Sequence, residues 1–194
     1  ETLEQRRAEV LELGQGPVKI IATLLDDCKK WGTLPFAHLA REAFIATAFL
    51  KSAVKTGLIS DLEYSEFMHS LQTVAEQFTA DSAAVAGGAM SLDDFLVQYG
   101  HLRPGSYEIT SPSYADNSEQ YLSGPDADVQ NPKPEAREFS WNKETSARLA
   151  EALAKNNLNI EFQQFDEFLR GAIEGREYAK FLFTRNLSAA LELI

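Results

Sequence analysis

Cysteine is nearly absent from this chain. Cys28 is the only one in 194 residues, so no disulfide can form within it, and a reducing, cytoplasmic setting is expected. Histidine is almost as scarce. His38, His69 and His101 are scattered and, with one cysteine, offer no metal-ligand spacing, so no metal site is expected. Basic charge is in the minority. Eighteen Lys and Arg stand against 29 Asp and Glu, for a net charge of −11, which argues against a broad basic surface for nucleic acid but leaves room for a small basic pocket. No apolar run approaches the roughly 20 residues needed to cross a bilayer, and the charged start from Glu1 to Arg7 is no secretory leader, so no membrane partner is expected. Phosphate-loop, dinucleotide-turn, nucleophile-elbow and kinase signatures are also missing.

What is present is helical periodicity. Val18 to Trp31 carries Ile20, Ile21, Leu24, Leu25 and Cys28 as a stripe opened by Pro17. Thr33 is a candidate cap for a central buried helix that carries Leu39, Ala43, Ala46, Leu50 and Val54 and ends at Gly57. Ser60 followed by Glu63 is a capping box, and the helix it opens places Phe67, Leu71, Val74, Ala75 and Phe78 on one face. The small residues from Ala80 to Ala89, with Gly87 and Gly88, read as a loop. Ser91 then caps a short helix through Tyr99.

From Gly100 the composition changes. Gly100, Pro104, Gly105 and Pro112 imply an ordered loop around 100–114. The stretch around 115–138 is acidic, rich in proline and poor in aromatics, as expected of a flexible linker. Asn142 or Ser140 caps a helix through Lys155, and a turn at Asn156–Asn157 leads into a long helix from about Phe162 to the end. The expected architecture is therefore all-α: an irregular multi-helix bundle forming one domain over 1–194. It has a helical core at 14–100, loop and linker at 100–138 and C-terminal helices at 140–194. Starting at Glu1 rather than Met, the chain is expected to be excised from a larger multidomain protein.

Two places could hold chemistry. On the long C-terminal helix, Arg176 and Lys180 fall on the same face as Phe165, Leu169, Ala172, Phe183, Leu187 and Ile194, with Glu177 at its margin. Cations within an apolar stripe need carboxylate partners or an anionic ligand. A structural ion-pair network through Glu177 or Glu42 and a ligand-facing role both remain open. The second place is Tyr99-Gly-His-Leu-Arg-Pro-Gly-Ser-Tyr107, where Gly and Pro-Gly constrain the backbone around His101 and Arg103. His101 is suited to proton transfer, or the loop is a buried connection whose polar groups meet backbone carbonyls. Arg41, among apolar neighbours, reads as structural, as does Glu177. His38 and His69 read as filling core or surface.

Four segments resemble the central helical region of phosphoenolpyruvate synthase-like enzymes, a family that includes rifampin phosphotransferases. They are Gly32-Thr-Leu-Pro-Phe-Ala-His-Leu-Ala-Arg-Glu-Ala-Phe-Ile-Ala46, Ser70-Leu-Gln-Thr-Val-Ala75, Tyr99-Gly-His-Leu-Arg-Pro-Gly-Ser-Tyr-Glu-Ile109 and Arg176-Glu-Tyr-Ala-Lys-Phe-Leu-Phe-Thr-Arg-Asn-Leu187. The resemblance runs from about Gly14 to Ile194. It implies a parent in which a nucleotide domain, using ATP and Mg, phosphorylates a histidine on a swivelling domain that delivers the phosphoryl group to an acceptor. The present chain, with no cofactor of its own, resembles the helical stretch between those two partners. Its own catalysis is not expected, because both flanking domains are missing from it. In the relatives a basic residue is common where Ser113 stands here. On this reading Arg103, Tyr107, Arg176, Lys180 and Arg185 meet an anionic small-molecule acceptor or the travelling phosphoryl group, and His101 orients or deprotonates an acceptor hydroxyl. The alternative is a purely structural module that docks the flanking domains.

Overall fold

The computed structural model describes residues 2–104, 110–123 and 138–194. Every regular element among them is a helix, so the fold is all-α. Among the same residues no helix is long and apolar enough to cross a membrane.

The first helix, α1 (Thr2–Glu12), lies ahead of the helical core expected from 14 onward. It buries Leu3 and Val10, two turns apart on one face. Next, α2 (Pro17–Asp27) begins with Pro17 in its first turn, where the absent N–H leaves no bond unmade. The expected cap at Thr33 does not exist. Cys28–Thr33 is a π-helical segment that continues α2 directly into α3 (Leu34–Lys55). The Leu34 N–H bonds the Lys29 carbonyl five residues back, and the Thr33 hydroxyl donates to the same carbonyl at 3.0 Å. This wider turn ends just before Pro35, which has no N–H for the helix and would crowd a normal preceding turn. α3 stops where expected: Gly57 has φ +72°, its N–H bonds the Val54 carbonyl, and Leu58 N–H bonds that of Ala53.

Ser60 and Glu63 form the expected capping box on α4 (Asp61–His69). The helix expected to run on from there is broken after His69, and α5 (Val74–Ala86) starts afresh. Two bonds divert the chain, one local and one distant in sequence: Ser70 Oγ donates to the Phe67 carbonyl at 2.8 Å, and Gln72 N–H donates to Glu174 at 2.8 Å. α5 also consumes most of the stretch expected as loop. Alanine is the strongest helix former, so the helix yields only before Gly87 and Gly88, the latter at φ +74°. Ser91 caps α6 (Leu92–Tyr99) as expected. Within the stretch expected as linker, α7 (Ser118–Ser123) is helical, while 124–137 lie outside the described residues. Asn142 caps α8 (Lys143–Lys155), Asn157 turns at φ +59°, and α9 (Phe162–Leu191) follows.

The described residues form two compact units. Unit one takes them from Glu1–Phe36, Val74–Lys133 and Tyr178–Ile194; unit two takes Ala37–Thr73 and Pro134–Glu177. In unit one, Val10, Ile20, Leu24 and Ala190 make one core and Phe95, Tyr99 and Phe181 another. Unit two is built on Leu50, Phe67, Leu71, Leu149, Leu153, Phe165 and Leu169.

Candidate functional site

The loop after α6 is tied down from its first residue. Tyr99, fully buried, donates its hydroxyl to Asp81 at 2.7 Å. A side chain at Gly100 would come within 2.4 Å of the Leu96 carbonyl oxygen, so the turn admits only glycine. Ala115 N–H bonds Gly100 O at 3.0 Å and Tyr114 N–H bonds Leu102 O at 2.9 Å, which fixes the backbone on both sides of His101. The constrained path expected from the Gly and Pro content is present where the loop is described.

That path sets the His101 ring edge-on against Phe181 of α9, with centroids 4.9 Å apart. One helical turn on, the Arg185 guanidinium lies over the same Phe181 ring at 4.9 Å and donates to the Gln98 carbonyl at 2.9 Å. Arg185 is also ion-paired with Glu4 of α1. The same Glu4 oxygen lies 3.7 Å from Arg7, whose other amino group reaches Asn186 Oδ1 at 3.4 Å. Asn186 is fully buried, and among the described residues neither its Nδ2 nor the buried His101 Nε2 has a hydrogen-bond partner. α1, the α6 loop and α9 thus bring two arginines, one carboxylate, one imidazole and one amide together within unit one.

Electrostatics follow from that count. Burial, then the charge of Arg185 and to a lesser degree that of Arg7, pushes the His101 pKa down to about 3, although the Phe181 and Gln98 carbonyls act in the opposite sense. His101 is therefore neutral at pH 7. Arg7 is also held below its usual value, chiefly by burial, with Glu4 acting against it. Because the folded protein resists charging His101 while the unfolded chain does not, His101 makes the fold lose stability as pH falls below about 6.5. His101→Gln should therefore unfold less readily than wild type in acid, by about 1–2 kcal/mol at pH 5 relative to their difference at pH 8. Urea titrations at the two pH values measure it; equal differences would contradict the buried neutral ring.

The other expected site residues fare differently. Arg103 bonds the Ser111 carbonyl, keeps a buried Nε without partner among the described residues, and adds its charge to the Ser113 hydrogen bonds that chiefly lower the Asp116 pKa. Tyr107 lies outside the described residues. Arg176 belongs to unit two and pairs with its neighbour Glu177 at 2.5 Å. Lys180 is exposed, as is Arg41. The single apolar stripe expected to embed Arg176 and Lys180 is not continuous: beyond Glu177 the buried side of α9 turns to Phe181, Thr184 and Ser188, and Ile194 is 76% exposed. A different set of neighbours defines that end of the helix.

No family model, no curated protein and no solved structure matches this chain. What the site can do therefore follows from its own residues. Among the described residues, no three His, Cys, Asp or Glu side chains converge to hold a metal ion. In unit two, a cavity of about 370 Å³ is lined by groups such as Phe49, Leu50, Trp141, Leu153, Phe162 and Phe165, with Ser52 and Asn156 its polar members. It presents no group that binds charge or moves a proton. The cluster in unit one holds charged side chains and an imidazole. Sequence reasoning found His101 and Arg185 but missed Glu4, Arg7 and Asn186. The seven-residue spacing of Leu3 and Val10, with Glu4 and Arg7 one turn apart, was the available signal for α1; Asn186 carried none.

Proposed function

We propose that this chain is the central helical module of a phosphoenolpyruvate synthase-like, ATP-dependent phosphotransferase of the cytoplasm, positioning an anionic acceptor or the phosphoryl group for domains on either side. The nucleotide domain of the parent would use ATP and Mg, and a phosphohistidine domain would carry the group. One observation supports this most. Two of the segments on which the family resemblance rests, Tyr99–Ile109 and Arg176–Leu187, meet in space: Tyr99 and His101 both pack on Phe181, at 5.9 and 4.9 Å. Arg185 of the second segment extends the same contact by bonding the carbonyl of Gln98, just ahead of the first. Cations so placed are the usual aid to a phosphoryl group in transfer. With its pKa near 3, His101 is a weak base, so orienting an acceptor hydroxyl suits it better than deprotonating one.

A structural docking module is the second reading, and it has support of its own. Arg176 is paired with Glu177, Arg185 with Glu4, and Arg103 with a backbone carbonyl. Transfer to acceptor by the full-length parent separates the two. His101→Ala and Arg185→Met should lower the transfer rate roughly tenfold or more per folded molecule, equivalent to at least about 1.4 kcal/mol. Lowered stability with unchanged transfer would leave only the docking role.

A further inference from the structure

The cluster in unit one is short of negative charge. Arg7 and Arg185 keep only 20% and 21% of their side-chain surface exposed, and a single carboxylate, Glu4 at 34%, serves both. Buried beside them are an amide donor, Asn186 Nδ2, and an imidazole nitrogen, His101 Nε2, neither with a partner among the described residues. Buried polar groups are as a rule hydrogen-bonded, so a donor and an imidazole nitrogen without partners, beside two guanidinium groups that share one carboxylate, are suited to receive an anion. The groups facing His101 are Arg7 from α1 and Arg185 from α9, with the carbonyls of Phe181 and Gln98.

We propose that this cluster is a binding site for a phosphate-class oxyanion, inorganic phosphate or a phosphate monoester, and that the Glu4 carboxylate is its resident stand-in, displaced when the anion enters between Arg7 and Arg185. Guanidinium forks match the oxygens of phosphate in pairs. The Asn186 amide adds a neutral donor. The imidazole Nε2 becomes a donor by taking one proton from solvent, since an anion at this position offsets the arginine charges that add to burial in holding its pKa down. Glu4, in the first turn of α1 and one-third exposed, turns out to water. The site stands on the side chains of unit one and does not rest on the phosphotransferase reading.

The test is titration of the 194-residue chain with inorganic phosphate and, separately, with methyl phosphate. Binding is followed by calorimetry in buffers of different ionisation enthalpy and by the ring nitrogen resonances of His101. We expect one saturable site, proton uptake, and movement of the His101 resonances toward those of imidazolium. Glu4→Gln, which removes the competing carboxylate, should tighten binding roughly tenfold, and Arg185→Met should abolish it. Stronger binding of methyl phosphate would point to a monoester as ligand, and equal or stronger binding of the inorganic ion to free phosphate. Absence of saturable binding in the millimolar range by both wild type and Glu4→Gln would overturn the proposal. So would binding that leaves the His101 ring unmoved, a readout that does not depend on any variant folding. Phosphate binding together with unaltered transfer by His101 variants of the parent would retire the phosphotransferase role and leave this site standing.

Discussion

Arg170→Met is expected to destabilise unit two by about 3 kcal/mol, read as a lower urea midpoint. Arg170 is the hub of that unit. Its Nε donates to Asp166 at 2.9 Å, one amino group reaches Ser70 Oγ at 3.1 Å and the other the Phe139 carbonyl at 3.3 Å. The guanidinium carbon also sits 4.8 Å over the ring of the fully buried Phe67. Methionine fills similar volume but leaves Asp166 to the Trp141 indole N–H, which donates to it at 2.7 Å. Removing one member of a buried ion pair costs about 3–5 kcal/mol. Arg170 and Asp166 retain 25% and 23% of their side-chain exposure, which places the expectation at the lower end. Changing Asp166 to Asn in the same molecule should recover part of the loss, because the stranded charge goes too. A loss below about 1 kcal/mol would mean that water already serves these groups.

The second large effect is steric. A Cβ at position 32, in place of the hydrogen of Gly32, would lie 2.5 Å from the Cβ of Phe183, an atom fixed to the α9 backbone and unable to swing aside. The π-helical segment and α9 therefore touch through glycine, with Phe183 further held edge-on against Phe36 at 5.4 Å. Gly32→Ala should destabilise by about 2 kcal/mol and Gly32→Val by about 3 kcal/mol, within the range for overpacking a filled site. Helix propensity alone predicts the opposite for alanine, a gain of roughly 1 kcal/mol. Gly171 supplies the control. It lies within α9, exposed, and a methyl group there would meet nothing within 4 Å, so Gly171→Ala should stabilise by about 0.5–1 kcal/mol. Thermal unfolding of the three variants would show opposite signs at the two glycines; a gain at Gly32 would falsify the close contact.

Caps and turns were legible because they are local. Ser60 with Glu63, Ser91, Asn142, Gly57 and Asn157 act over three or four residues, and each sits where its chemistry placed it. The π-helical segment was not legible, since Thr33 before Pro35 looks like an ordinary cap and only the register of Leu34 on Lys29 shows otherwise. The loop expected at Ala80–Ala89 failed for the opposite reason: a run of small residues suggests flexibility, yet its alanines extend a helix. On α9, extrapolating one stripe over 30 residues put Lys180 inside, although the buried side changes after Glu177.

The candidate site divides along the same line. His101 stood out by itself, flanked by residues that constrain the backbone. By itself the sequence determined an all-α chain, the ends of several of its helices and the rigid turn that presents His101, because capping bonds and glycine torsions are settled within a few residues. Which cations turn inward was decided only by tertiary structure. Arg185 finds Glu4 across 181 positions and Arg7 finds Asn186 across 179, and no local pattern encodes such partners. Burial converts those distant contacts into a neutral histidine beside two arginines that share one carboxylate.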